Sequence, residues 1–210
     1  MLKIAGYHEL SRPRRGLQQV EPTRRLCKAF SLLSYELGVL SPDEAAFLET
    51  NRIDPPKGWL TSSKHPKAKI FSLASKKIAV LVFPYSSSGE AGRAEVLKLA
   101  EKLRPETDLL IGLSPWGIHR ERSFLNNSRQ VLDIFLGGGP GPGFKSKFVQ
   151  GGTTLWVRPY GRGKVVFSIR IHDWPPRQKT AWRPGQTVDT DIILLKKSIP
   201  EDEAVRSLLN

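Results

Sequence analysis

Apolar residues at Leu26, Phe30, Leu33 and Leu37 recur every three or four positions, which predicts one face of a helix over residues 23–37. A second helix is predicted to start at Ser41-Pro42-Asp43-Glu44. The serine caps, the proline fits the first turn, and the acids sit at the positive end of the helix dipole. Asp54-Pro55-Pro56-Lys57-Gly58 breaks the pattern. Two β-prone runs, 70–73 and 78–83, then flank Ser75-Lys76-Lys77 and predict a hairpin. The second run is continuously apolar, which predicts a strand covered on both faces.

From there the period alternates. Residues 90–103 place Val96, Leu99, Ala100 and Leu103 on one side of an amphipathic helix. Residues 109–113 read as a strand, 120–130 as a helix and 131–136 as a strand. Strand–helix–strand alternation predicts an α/β fold with parallel neighbours in the sheet. After a glycine-rich loop, 154–157 and 165–171 are expected to pair as antiparallel strands around Tyr160-Gly161-Arg162-Gly163. Residues 174–185 form proline-rich irregular chain, 188–195 a last strand and 200–209 a closing helix. No internal repeat is present.

Composition sets the bounds. The chain has 210 residues, 39% hydrophobic and 25% charged, the make-up of a water-soluble globular domain. Residues 1–22 are basic, polar and broken by proline, and are expected to form an N-terminal arm before a single domain over 23–210. No run approaches the roughly 18 apolar residues of a membrane span. The first thirty residues hold no apolar leader segment, which predicts a cytoplasmic protein, or an extracytoplasmic one if the chain is a trimmed form. The lone cysteine, Cys27, excludes an internal disulfide and a multi-cysteine zinc site. Nearby Arg24, Arg25 and Lys28 could lower its pKa, but an ordinary half-buried helix cysteine is the expectation. The net charge of +13 is uneven, with nine Lys or Arg against Asp173 and Asp189 over residues 136–190. That region, with Phe144, Phe148, Trp156, Tyr160, Trp174 and Trp182, is a candidate for polyanion or nucleic-acid binding; core packing is the plainer use of its aromatics.

The candidate chemistry lies past the two central strands, at Ser114-Pro115-Trp116-Gly117 and at Gly137-Gly138-Gly139-Pro140-Gly141-Pro142-Gly143. Ligands of open α/β sheets bind beyond the carboxyl ends of strands. Neither loop carries a good metal ligand, and none of His8, His65, His119 and His172 forms a His-x-His or His-x-x-x-His pair. The glycine loop lacks a P-loop ending, and its prolines remove two backbone donors. Ser114 lacks the second glycine of a nucleophile elbow. No carboxylate pair stands out as an acid–base couple.

Asp108-Leu-Leu-Ile-Gly-Leu-Ser114-Pro115-Trp116-Gly117 is similar to a family motif reading DLVIGLSHLG, and Asp133 to Gly139 to DVILGGHTH. Thr154-Leu-Trp-Val-Arg-Pro-Tyr-Gly-Arg echoes TLWVQ…GxYGRYVGRLDL. Ser198-Ile-Pro-Glu-Asp202-Glu-Ala-Val205 echoes the tail SIPEDPEV. In these segments, from about Phe30 onward, the chain resembles the metallophosphoesterase domain of the 5′-nucleotidase family, in the calcineurin-like superfamily. The resemblance implies an α/β mixed sheet with flanking helices, an α/β/β/α sandwich truncated at its N-terminus, because the opening DxHG strand is absent.

The departures concern the metal. Motif histidines fall on Pro115, Gly139 and Gly141, and the GNHE-type turn falls on residues 35–44, leaving Asp43 and Glu44 as the surviving acids. The reading that follows is a non-catalytic domain without metal or other cofactor, used for binding or assembly. The alternatives are a phosphoesterase with a rebuilt site that uses His119, Asp43 or a partner chain, and a basic polyanion-binding module. Arg120, Arg158 and Arg162, with His119, are candidate groups for a small anion or a phosphorylated ligand. Another protein chain is the other partner considered, and no activity is assigned.

Overall fold

A computed structural model describes residues 1–10, 19–86, 89–160, 165–175, 180–196 and 198–209. In chain order the elements are α1 (Val20–Leu32), β1 (Val39–Leu40), α2 (Pro42–Thr50), β2 (Leu60–Thr61), β3 (Lys67–Leu73), β4 (Lys76–Val82) and α3 (Gly89–Leu103). There follow β5 (Leu109–Ser114), α4 (Ile118–Asn127), β6 (Ile134–Gly137), β7 (Phe144–Val149), β8 (Thr154–Arg158), β9 (Val165–Ile171), β10 (Val188–Leu194) and α5 (Glu203–Leu209). They fall into two compact units, Met1–Ser63 with Lys197–Asn210, and Lys64–Lys196. No helix among the described residues is long and apolar enough to cross a membrane.

In the first unit, Cys27 of α1 packs with Leu10, Leu40, Leu48 and Ile53, and Phe30 lies against Trp59 with ring centroids 4.9 Å apart. Ile4 bridges Leu37, and the Ala5 N–H donates to the Leu37 carbonyl at 2.8 Å. The predicted first helix therefore ends five residues early. Ser34 adopts a left-handed backbone (φ 53°), which stops α1, and Leu37 is buried in extended chain instead. The second helix starts as predicted: the Ser41 side chain accepts from the Glu44 N–H at 3.2 Å, and Glu44 accepts from the Ser41 N–H at 2.8 Å.

The second unit holds a six-stranded mixed sheet in the order β3-β4-β5-β6-β8-β7. Strands β4, β5, β6 and β8 are parallel, and the two edge strands run antiparallel. Helices α3 and α4 share one core with the sheet, built on Leu81, Phe83, Val96, Ala100, Phe124, Phe135 and Trp156. The opposite-face residues Ile78, Val80, Val82, Leu109, Leu113 and Leu155 are buried as well, so the central strands are covered on both sides.

Two expectations need correction. Residues 165–171 do not pair with 154–157. Strand β8 has β6 on one side and β7 on the other, so neither edge is open, and β9 pairs with β10 in a separate two-stranded sheet. Strand β7 itself had not been expected, because its alternation of Phe144, Ser146 and Phe148 with Lys145 and Lys147 follows directly on the glycine loop.

The β3–β4 hairpin turns on Ala74 and Ser75, both left-handed, at φ 48° and 63°. This tight turn favours Asn-Gly, since other residues are strained there. Ala74→Asn with Ser75→Gly is expected to raise stability by about 1 kcal/mol. A urea midpoint that stays put or falls, at unchanged slope, would count against that turn geometry.

Candidate functional site

Strands β5 and β6 are parallel neighbours, with Ser114 in register with Gly137, so the two strand-end loops lie side by side, as the alternation required. They are bonded to each other. The Gly117 N–H donates to the Gly138 carbonyl at 3.0 Å, and the Ile118 N–H to the Pro140 carbonyl at 2.9 Å. These are the first N–H groups of α4, the donors that a helix start offers to an anion. Here the glycine loop takes them. Ser114 is fully buried and its hydroxyl accepts from the Trp116 N–H at 3.1 Å. The Trp116 indole donates to the Pro84 carbonyl at 2.8 Å.

Beneath the loops lies a buried ion pair. Glu121 of α4 and Arg158 at the end of β8 are 0% and 2% exposed, and the Arg158 guanidinium donates to the Glu121 carboxylate. Arg158 also donates from Nη2 to the carbonyls of Gly139 at 3.0 Å and Pro140 at 3.1 Å, and from Nε to that of Pro142 at 3.2 Å. Glu121 accepts from the Gly138 N–H at 2.9 Å. Burial pushes the Glu121 carboxyl above the ordinary range, against the opposing pull of Arg158 and the Gly138 N–H. Gly137 rests on this pair, since a Cβ there would stand 2.2 Å from Glu121 Oε2.

Among the described residues, the positions to which the motif histidines map do not fit metal ligands. At Gly139 (φ 68°) a Cβ would be 2.1 Å from the Pro115 carbonyl oxygen, and at Gly141 (φ 120°) 2.6 Å from Ile118 Cγ2. The loop surface is exposed, yet side-chain directions at both positions are closed. Among the described residues no group of three His, Cys, Asp or Glu converges.

The other sequence candidates are scattered. His119 and Arg120 are exposed on the first turn of α4. Arg162 lies outside the described residues. Asp43 and Glu44 belong to the first unit. Asp43 is exposed. Glu44 is buried, with one oxygen accepting from the Leu10 N–H at 3.0 Å and the other from Ser41. Cys27 is buried, and burial pushes its thiol up to about 11, Glu44 adding to the rise and Arg24 opposing it. A thiol so held is a poor nucleophile at neutral pH. Native protein is expected to react with a disulfide reagent at least about 100-fold more slowly than urea-unfolded protein. Equal rates would remove Cys27 from the core.

Glu121 was the residue missed. Its signal was present in Ile118, Glu121, Phe124 and Leu125, a helical stripe in which it is the one charge among apolar neighbours. A buried carboxylate of that kind requires a cationic partner.

No family model matches the sequence, and no curated protein matches it in sequence. Solved structures do match in fold. NAD nucleotidase from Haemophilus influenzae aligns over 89% of this chain and 47% of its own, at 11% identity and a TM-score of 0.57. The 5′-nucleotidase from Candida albicans aligns over 99% and 48%, at 13% identity and a TM-score of 0.56. A hypothetical protein from Thermus thermophilus aligns over 92% and 87%, at 11% identity and a TM-score of 0.55. The chain spans about half the length of the two nucleotidases. Its mixed sheet with flanking helices is a 5′-nucleotidase-like fold.

Proposed function

We propose that the chain is a non-catalytic 5′-nucleotidase-like domain that serves as a binding or assembly module, with the metal-ligand positions of the resembled motifs given over to structure. The observation that carries this reading is the pair Arg158–Glu121 under the strand-end loops. An arginine side chain supplies the cation, and it is spent on a carboxylate and three loop carbonyls. Gly139 and Gly141, where the motif has histidines, leave no room for a side chain without moving backbone or Ile118. Glu44, one of the two surviving acids, is consumed by the start of α2. The mapped positions thus offer no set of oxygen and nitrogen ligands for a catalytic metal pair.

The test is metal analysis of the dialysed protein, with assays on bis(p-nitrophenyl) phosphate and AMP. The expected result is no stoichiometric zinc or manganese and no turnover above buffer. Metal near two equivalents per chain, or hydrolysis abolished by chelation, would overturn the reading in favour of a rebuilt phosphoesterase site.

A further inference from the structure

From Lys64 to Gly89 the sequence carries Lys64, Lys67, Lys69, Lys76 and Lys77 and no Asp or Glu. The fold orders these charges. In β3, successive residues alternate faces, so Lys67, Lys69, Phe71 and Leu73 share one face of the edge strand. Leu73 is in register with Lys76, which brings that lysine onto the same face, where its Nζ also pairs at 3.4 Å with the partly exposed Asp108 and must exchange that contact for a phosphate. The cations are interleaved with rings. Lys69 Nζ stands 5.2 Å from the centroid of Phe71, and Lys76 Nζ 6.0 Å from that of Trp174. Lys67 and Leu73 are exposed; Lys69, Phe71, Lys76 and Trp174 are half-buried. Trp174 also lines a pocket of about 310 Å³ with Trp182, Arg183, Asp173 and Thr187. That is the lower end of the size range of small-ligand sites, enough for one flat ring system.

We infer that this face of the β3–β4 hairpin, with Trp174 and the pocket beside it, binds single-stranded nucleic acid: the lysines track the phosphates, and Phe71 and Trp174 stack on bases. The chemistry selects the occupant. A row of ammonium groups without a convergent cage suits a chain of phosphates better than one small anion. Ring faces set between cations serve unpaired bases, because a duplex keeps its base faces stacked inside. The net charge of +13 adds long-range attraction. The opposite edge of the sheet lacks the same arrangement. Lys147 lies 4.7 Å from the Phe144 centroid, but Phe144 packs edge-on against Trp156 as part of the core. The inference is independent of the strand-end loops. A chain that hydrolysed phosphate esters and one that did not would bind the strand alike.

Fluorescence anisotropy tests it, with the full chain and a labelled oligothymidylate of about 12 nucleotides at low and physiological salt. Lys67→Glu with Lys69→Glu is expected to raise Kd at least about tenfold and to reduce the salt slope by about 0.7 for each phosphate that is no longer neutralised. Trp174→Ala is expected to raise Kd at least about fivefold at unchanged salt slope, and Trp174→Phe to restore most of it. Lys145→Glu with Lys147→Glu makes the same change in net charge at the other edge and is expected to shift Kd less than about twofold. Equal weakening by the two lysine pairs would reduce the effect to general charge attraction and overturn the proposal. A duplex bound as tightly as the single strand, or no binding at low salt, would do the same.

Discussion

Arg158→Ala is expected to cost about 3–5 kcal/mol, a large part of the stability of an ordinary domain. The reason is what the substitution leaves behind. Glu121 is fully buried, and Arg158 is the cation bonded to it. Three loop carbonyls lose the guanidinium at the same time, and Pro140 keeps the Ile118 N–H. The carbonyls of Gly139, Pro140 and Pro142 belong to exposed residues and can turn to water, whereas the carboxylate cannot. Glu121→Met with Arg158→Met is therefore expected to recover more than half of the loss, because removing both charges removes the orphan. The pH dependence has a definite sign. The folded Glu121 carboxyl already holds its proton above the ordinary value of 4.5, because of burial, and without Arg158 it must hold it higher still. A raised folded pKa favours folding below the unfolded value, and that advantage is lost as pH rises through the folded value. The deficit of Arg158→Ala relative to wild type should thus be smallest near pH 4.5 and grow towards neutrality. Urea unfolding at several pH values, with a double-mutant cycle, measures each quantity. A single-variant loss under about 1 kcal/mol, or an additive cycle, would refute the buried-pair account.

What the sequence disclosed and what it hid separate by range. The start at Ser41, the hairpin after Phe71 and the strands read at residues 109–113 and 131–136, which the structure places at Leu109–Ser114 and Ile134–Gly137, are local patterns, written in caps, turns and apolar runs. Their parallel pairing followed from the helix between them. The partner of 165–171 did not, because strand pairing across a long connection depends on which edges remain open, and the edge of β8 was filled by β7. The ion pair beneath the loops is also a long-range fact. Glu121 and Arg158 are 37 residues apart, and Arg158 reads locally as one more cation in a basic region. The glycine loop illustrates the same limit. Its freedom of backbone was legible, but only the packing shows that Gly139 is closed by the Pro115 carbonyl and Gly141 by Ile118.

That packing yields the second large effect. Gly139→His puts a motif histidine where the resembled family carries one, and it is expected to cost at least about 3 kcal/mol and to gain no metal affinity. The cost has two sources. The backbone at Gly139 is left-handed, at φ 68°, which charges any residue with a Cβ about 1–2 kcal/mol. The Cβ would also meet backbone, with the Pro115 oxygen at 2.1 Å, its carbon at 3.0 Å and the Gly117 nitrogen at 3.1 Å. Relief requires the two loops to part, which breaks the bonds from the Gly117 N–H to Gly138 and from the Ile118 N–H to Pro140. Gly139→Ala is the size control. Because the first atom of the side chain does most of the damage, alanine is expected to lose nearly as much as histidine. The imidazole gains nothing from zinc in return, since Pro115 and Gly141 provide no second ligand beside it. Thermal unfolding of both variants, with and without zinc, separates the effects. A Gly139→His protein as stable as wild type, or one that zinc raises by several degrees while Gly139→Ala stays unmoved, would show that the loop can still open to hold a metal.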